Sequence, residues 1–422
     1  MLSVGLTGNV AAGKSRVAEV WRDHGVPVVG ADDLAREVVA PGTPGLARVR
    51  EALGDEVVAP DGSLDRAALR ARVFADDEAR RRLEEILHPL IQERRAAWLE
   101  ARRAEGAALV VSEIPLLFEV GLDREVDVTV VVDAPEEERL RRLVEDRGLA
   151  SGEARRIMGA QMDAAEKRGR ADVVIGNDGT LEELDAEAAR VLVELRERAG
   201  VDTLRMDLHL HTWGSWDCLS DPERVRRRLR ELGFRRFAIT DHDRMEVARE
   251  MADRYPGEVV VGEEVKTAEK IDVIGLHLTE AIPRGTPAHE VVDRIREQGG
   301  VSYLPHPYAG GKGGGGRYAD ELAARVDVVE VFNARMHPGR LNEPARELAR
   351  RHGTLRGAGS DAHTVGELGG GWVELPDHPN TAGGLRAALR SAVTGGTTAP
   401  HWVHLASTWA KVRKKLPAAP GP

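Results

Sequence analysis

Near the N-terminus, Gly8-Asn9-Val10-Ala11-Ala12-Gly13-Lys14-Ser15 has the spacing G-x-x-x-x-G-K-S. Glycines let a backbone curl around a phosphate and aim its N–H groups inward. A lysine at this position neutralises the terminal phosphates of a nucleoside triphosphate, and the following hydroxyl ligates Mg2+. An apolar stretch, Ser3–Leu6, precedes the run and a helical stretch, Arg16–His24, follows it. That is the strand–loop–helix setting the motif requires. The next strand ends in Val28-Val29-Gly30-Ala31-Asp32-Asp33-Leu34-Ala35-Arg36. A carboxylate at that strand end can sit over the phosphates and take a proton from an attacking hydroxyl. An Asp before a helix is equally a good N-cap, and the two adjacent aspartates could divide these jobs.

A second set of reactive residues lies past residue 200. Asp207-Leu208-His209-Leu210-His211 is an H-x-H at the end of a strand, and Asp217 follows. Residues i and i+2 of a strand face the same way, so both imidazoles can reach one ion. Then come Thr240-Asp241-His242-Asp243, Gly262-Glu263-Glu264, Pro305-His306-Pro307 and Gly359-Ser360-Asp361-Ala362-His363, each after an expected strand. Five histidines at successive strand ends, mixed with carboxylates, are a donor set for divalent metals. Glu263 and Glu264 compete for one place in it.

Two βα series must position these residues. Residues 1–200 alternate strands (Ser3–Leu6, Val26–Val29, Ala108–Ser112, Val128–Val132, Asp172–Ile175) with helical stretches such as Ala79–Arg103 and Pro135–Arg147. This pattern predicts a parallel sheet covered on both faces. A second series opens near residue 206 and runs to 422. Its strands are Arg205–Leu210, Phe237–Thr240, Val259–Val261, Asp272–Leu276, Val301–Leu304, Val328–Phe332 and Leu355–Ala358. Seven strands fit a closed or nearly closed barrel, whose strand ends converge on one rim. Gly310–Gly316 reads as a surface loop, and Trp402–Leu416 as a basic amphipathic helix docking on its own domain. The fold class is α/β throughout.

With 422 residues and a net charge of −10, the chain is no generally basic nucleic-acid binder. Its single cysteine, Cys218, excludes an intrachain disulfide and fits a reducing compartment. No run approaches a bilayer-spanning length, so a cytoplasmic protein without membrane contact is expected.

The first module resembles the dephospho-CoA kinase family. The resemblance rests on Ala31-Asp32-x-x-Ala35-Arg36, Leu87-His88-Pro89-Leu90-Ile91, Glu113-Ile114-Pro115-Leu116-Leu117-Phe118-Glu119 and Ala171-Asp172-x-Val174-Ile175-x-Asn177-x-Gly179, which follow the phosphate loop in the family's order. It implies ATP with Mg2+ and dephospho-CoA as substrates, with transfer to the ribose 3′-hydroxyl. By it Asp32 and Lys14 are catalytic, and Gly8, Ala11, Ala12, Gly13, Lys14, Ser15, Arg16, Arg141, Arg147 and Asn177 bind ATP. Arg36, His88, Pro115, Leu116 and Phe118 bind the acceptor, and Arg141, Arg142 and Arg147 with Gln161 belong to a helical lid. Arg16 stands where the family usually has threonine, and the loop holds fewer glycines than usual.

The second module resembles the polymerase-and-histidinol-phosphatase (PHP) phosphoesterases, a distorted (β/α)7 barrel. That resemblance implies two or three divalent ions (Mn, Zn or Fe) on His209, His211, Asp217, His242, Glu264, His306, Asp361 and His363. Asp272 stands where many members have a ligating histidine, and could still ligate. Lys312, Arg317 and Arg335 are candidate phosphate contacts, with solvated surface as the plainer reading of each. The phosphoester substrate, nucleic acid among the candidates, and the oligomeric state are open. The alternative to the whole reading is another nucleoside or nucleotide P-loop kinase carrying a non-catalytic metal-binding PHP module.

Overall fold

Short valine- and isoleucine-rich runs between Ala/Arg/Glu-rich stretches dictate a strand–helix alternation. The computed structural model of the chain describes residues 1–309, 314–337, 339–400 and 403–415. It divides into two compact units, Met1–Val201 and Asp202–Pro422.

In the first unit, β1 (Leu2–Thr7), β2 (Val28–Gly30), β3 (Leu109–Glu113), β4 (Val128–Asp133) and β5 (Val173–Gly176) form one sheet in the order β2-β3-β1-β4-β5. Every pairing is parallel. Both faces must then be covered, and Val4, Leu6, Val110, Val111, Val130 and Val132 are buried. The order of strands reverses beside central β1, so the loop after β1 opens into a crevice at the carboxyl edge. Helix α1 (Lys14–Asp23) leaves that loop and α2 (Ala31–Val38) leaves β2. The strand expected from Val26 starts at Val28 instead, past Pro27, which has no N–H to donate to a ladder.

Helices α3 (Pro44–Leu53), α4 (Arg66–Ala75) and α5 (Asp77–Ala104) form an excursion with its own apolar core, including Leu46, Val49, Leu53, Val57 and Ala79. Thr43, Asp65 and Asp76 cap them by accepting from free backbone N–H groups. Helix α6 (Glu136–Arg141) widens into a looser turn over Arg142–Asp146, and α7 (Ser151–Gly159) and α8 (Ala164–Arg170) follow. Helix α9 (Leu181–Arg198) starts at a capping box made by Thr180 and Glu183.

The second unit has a nine-stranded sheet. Its strands are β6 (Thr203–Leu210), β7 (Arg236–Ile239), β8 (Val259–Lys266), β9 (Asp272–Leu276), β10 (Val301–Leu304), β11 (Val328–Asn333), β12 (Leu355–Gly359), β13 (Gly371–Pro376) and β14 (Val393–Gly396). The order is β12-β11-β10-β9-β8-β7-β6-β13-β14. All seven expected strands are present. Strand β9 runs antiparallel to both neighbours. Only residues 267–271 join it to β8, too few for the crossover a parallel pair needs. Strands β13 and β14, short and glycine-bearing, add an antiparallel flap beside β6. Residues 203–205 pair with that flap, so β6 begins before the expected module start at Met206, which is buried within the strand.

The sheet curls until β12 comes back against β6. Asp361 N donates to His209 O at 2.7 Å and His211 N to Ala362 O at 3.0 Å. Helices α10 (Pro222–Glu231), α11 (Glu246–Arg254), α12 (Ala288–Glu297), α13 (Ala319–Ala323), α14 (Asn342–His352), α15 (Ala382–Leu389) and α16 (Val403–Lys415) complete the unit. Helix α16 realises the expected tail helix, while Lys312 and the end of the tail lie outside the described residues. Among the described residues, no helix is long and apolar enough to cross a membrane.

Candidate phosphate-binding and metal centres

The phosphate loop needs glycine where its backbone turns tightly. Gly8 and Gly13 have φ of 149° and 106°. A Cβ on Gly8 would strike the carbonyl oxygen of Val132, and one on Gly13 the side-chain amide of Asn177. Ala11 takes a left-handed φ of 59° without being glycine, so the loop closes at some strain where it departs from the glycine-rich form. Lys14 arches back, its Nζ donating to the carbonyls of Gly8 (2.9 Å) and Asn9 (3.1 Å). Ser15 Oγ donates to Glu113 Oε1 at 3.2 Å, across the β1–β3 pair. A cavity of about 430 Å3 opens here, lined by Gly13, Lys14, Ser15, Arg141, Arg147 and Asn177 among others.

Asn177 holds the loop from the far side, its Nδ2 donating to Ala12 O at 2.8 Å. Of the lid arginines, Arg142 reaches the loop, donating to Ala11 O (3.2 Å) and Asn177 Oδ1 (3.3 Å). Arg141 instead pairs with Glu138 and Glu145 on its own helix. Gln161 Oε1 accepts from Val10 N at 2.8 Å. Arg16 lines the cavity, but its guanidinium is clamped by Asp185 of α9 at 2.5 and 2.7 Å. It ties two helices together as well as bordering the site.

Asp33 is engaged by Arg36 at 3.2 Å, whereas Asp32 has no hydrogen-bond or ion-pair partner among the described residues. Asp32 lies within the electrostatic reach of Lys14. His88 is exposed on α5 and Leu116 on the turn after β3. Pro115 O accepts from Thr7 Oγ1 at 3.2 Å. Phe118 is buried beneath the Arg170 guanidinium, 4.6 Å from its ring centroid.

Burial lowers Lys14 to about 8, with Lys167 and Arg147 pushing the same way against Glu113 and Asp32. A bound triphosphate restores the charged form. Below pH 8 the free lysine is already protonated; above it the complex must draw a proton in. ATP affinity should therefore fall as pH rises through 8, with uptake approaching one proton near pH 9 and little at pH 7. Calorimetry in two buffers of different ionisation heat measures this. Equal uptake at both pH values would rule out Lys14 as its source.

In the second unit the β6–β7 register shifts between Asp207 and Leu210, the stretch that carries His209. Leu204, Met206 and Leu208 join the interior cluster with Ala238, Val260 and Ile274, while Leu210 packs among Phe237 and Val225. His209 and His211 then converge, with Nε2 atoms 3.3 Å apart. Three groups of donor atoms lie close enough to share an ion: His211, His242 and His363; His209, Glu264 and His306; and His209, His211 and Asp361. Asp217 Oδ1 lies 3.6 Å from His242 Nε2 and 3.4 Å from His363 Nε2. A cavity of about 490 Å3 opens over these residues. Asp272 lines it but pairs with Lys266 and belongs to none of the three groups.

The polar accounting fits cations. Glu264 Oε2 lies 3.0, 3.3 and 3.5 Å from nitrogens of His242, His211 and His209, yet forms a hydrogen bond with none. Asp217 Oδ1 and His306 Nδ1 are likewise buried and unbonded. Burial opposes charge throughout, but the imidazoles hold Glu264, Asp361 and Asp217 well below the usual carboxylate range. Burial drives His363 down to about 4, leaving a neutral ring suited to a metal. Asp243, His306 and Asp361 carry positive φ without being glycine, a strain that clusters at this rim.

Several supporting residues escape sequence reasoning. Glu330 of β11 accepts at His209 Nδ1 (3.1 Å), from Tyr303 OH (3.0 Å) and from His306 N (2.7 Å). An acid inside Val328-Val329-Glu330-Val331-Phe332 was the available signal. Asp241 accepts from Thr212 N and from Ser215 N and Oγ, fixing the loop after β6. Ser215 Oγ also lies 3.0 Å from His211 Nδ1. These contacts turn both imidazole Nε2 atoms toward the centre. Glu264, not Glu263, joins a candidate donor group: Glu263 Oε2 accepts from Ile282 N at 2.8 Å. Arg335 is not solvated surface, since its buried guanidinium contacts His363, Glu367 and Ser407. Arg317 packs over its neighbour Tyr318. Burial raises the Cys218 thiol to about 11, so it is unreactive.

The comparisons with known proteins divide at the same place. A family model described as dephospho-CoA kinase matches residues 2–183, and one described as PHP-associated matches residues 339–394. The chain is 44% identical over 198 residues to the dephospho-CoA kinase of Corynebacterium glutamicum, covering 47% of this chain and 99% of that one. It is 46% identical over 200 residues to the dephospho-CoA kinase of Anaeromyxobacter dehalogenans, covering 47% and 95%. Among solved structures, a Bifidobacterium adolescentis protein provisionally named a metal-dependent phosphoesterase is 19% identical, covering 37% of this chain and 87% of that one with a TM-score of 0.31. Near-complete coverage of the first two relatives, at that identity, shows that the chain belongs to the dephospho-CoA kinase family.

Proposed function

We propose that Asp32 and Lys14 carry the transfer of the ATP γ-phosphoryl group to the ribose 3′-hydroxyl of dephospho-CoA, and that the second unit hydrolyses a phosphoester at two or three divalent ions. For the kinase, the observation that carries the residue roles is the contrast between the two aspartates. Asp33 is held by Arg36, and Asp32 is left without a partner in the field of Lys14. Lys14 and the first N–H groups of α1 cradle the phosphates. Bound Mg2+, beside Ser15 and Glu113, supplies charge neutralisation across the phosphates. Arg142 and Arg147 add positive charge from the lid. Arg36, His88, Pro115 and Leu116 offer the acceptor a surface along α2, α5 and the turn after β3. Asp32→Asn keeps the shape but not the basicity. It should retain ATP binding and lose transfer by a factor on the order of 10² or more. Near-normal turnover with dephospho-CoA would move the role to Asp33.

For the second unit, the carrying observation is Glu264 Oε2, ringed by three imidazole nitrogens and hydrogen-bonded to none. Bound divalent ions supply Lewis-acid activation of water and of the ester. The chain's own contribution is orientation and charge: Glu330 and Ser215 fix His209 and His211, and Asp361 and Asp217 keep the cluster anionic. Hydrolysis of bis(p-nitrophenyl) phosphate by the full chain with Mn2+ tests the reading. A chain that binds Mn2+ yet releases no p-nitrophenol from this diester or from the monoester would be a metal-binding module without catalysis.

A further inference from the structure

The cavity over the metal groups holds an acid–base pair that the reading above leaves unused. The antiparallel register of β8 and β9 sets Lys266 directly opposite Asp272. Lys266 stands two residues beyond Glu264, so both side chains leave the same face of β8. Its Nζ lies 2.6 and 2.7 Å from the two carboxylate oxygens of Asp272. Asp272 is 3% exposed, lies within electrostatic reach of Glu264 and His306, and lines the cavity with both. The lysine backbone is pinned on either side: its N–H donates to Asp243 Oδ1 and its carbonyl accepts from Gly285 N, both at 2.8 Å.

An ammonium carries three N–H bonds. One is donated to Asp272 Oδ2, with Oδ1 held at ion-pair distance, and no other acceptor meets the ammonium among the described residues. A carboxylate already holding an ammonium is a poor ligand for a further cation, because the two positive charges repel at contact distance. The pair thus places a fixed, directional cation in the cavity beside the His209–Glu264–His306 group. We propose that Lys266 grips a non-bridging oxygen of the substrate's phosphoryl group and that Asp272 aims this lysine instead of binding a metal, an inference that rests on the phosphoester reading of the cavity.

The test is inorganic phosphate binding by calorimetry, together with metal analysis, on the Mn2+-loaded full chain. Lys266→Met should weaken phosphate binding on the order of 10-fold or more with metal equivalents unchanged, as expected for loss of a charge-assisted bond. Lys266→Arg should recover part of it. Lys266→Gln gives a second neutral variant should the methionine chain fail to fold. Asp272→Asn should keep its metal equivalents and weaken phosphate by a smaller factor. Wild-type phosphate affinity in both neutral variants, or loss of a metal equivalent in Asp272→Asn, overturns the proposal. A wild-type chain that binds metal and, through Lys266, phosphate but hydrolyses no ester would sink the phosphoesterase reading and leave the clamp standing.

Discussion

Lys14→Ala should cut coenzyme A formation by the full chain on the order of 10³-fold and leave the ester hydrolysis proposed for the second unit unchanged. Preorganised charge at the moving phosphoryl group is the largest contribution such a site makes. Lys14 is the loop's cation, folded over the carbonyls of Gly8 and Asn9. The substitution sits at the first position of α1, where alanine suits the helix, so the fold is spared. The candidate metal-binding groups all belong to the other compact unit. Coenzyme A and p-nitrophenol are measured on one preparation. Loss of both would show that the two units act as one cooperative body.

His209→Ala combined with His211→Ala should stop the proposed hydrolysis and spare the kinase. The two histidines contribute to all three donor groups, so no alternative set survives their removal. The expected loss exceeds the roughly 10–100-fold typical of removing a partner behind a metal ligand. It also strips Glu264 and Asp361, both buried, of two of the imidazoles that help hold them ionised. Thermal unfolding of the double variant therefore needs to be followed alongside its rate, to separate a folded, inactive unit from an unfolded one. Hydrolysis persisting at more than a tenth of the wild-type rate would exclude both residues from the centre.

The phosphate loop was legible because its chemistry depends on local spacing, from Gly8 to Ser15. The H-x-H pair was legible for a similar reason, although the register shift between Asp207 and Leu210 is invisible in the sequence. The family resemblance had put Glu264 ahead of Glu263, and the bond from Ile282 N to Glu263 Oε2 occupies the rival carboxylate. Glu330 and Asp241 act by pairing with residues distant in the chain, so spacing could not reveal them. Arg142, not Arg141, meets the phosphate loop because helical phase and the widened turn decide which arginine turns inward. Arg16 matched the binding position but is also committed to Asp185, 169 residues away. Phe118 was assigned to the acceptor by its place in a motif, and its burial could not be read from that motif. The reversal of β9 was implicit in the five residues between strands, where the hairpin is the only available connection.

Metal content per chain is the most direct test of the claim that a divalent-metal centre lies in the second unit of this dephospho-CoA kinase chain. The full chain is loaded with Mn2+, freed of excess, and analysed by mass spectrometry beside the His209→Ala, His211→Ala variant. The account predicts at least two equivalents in the wild type, and at least one fewer in a variant that still forms coenzyme A at the wild-type rate. Less than one equivalent in the wild type, or equal occupancy in both chains, would contradict it.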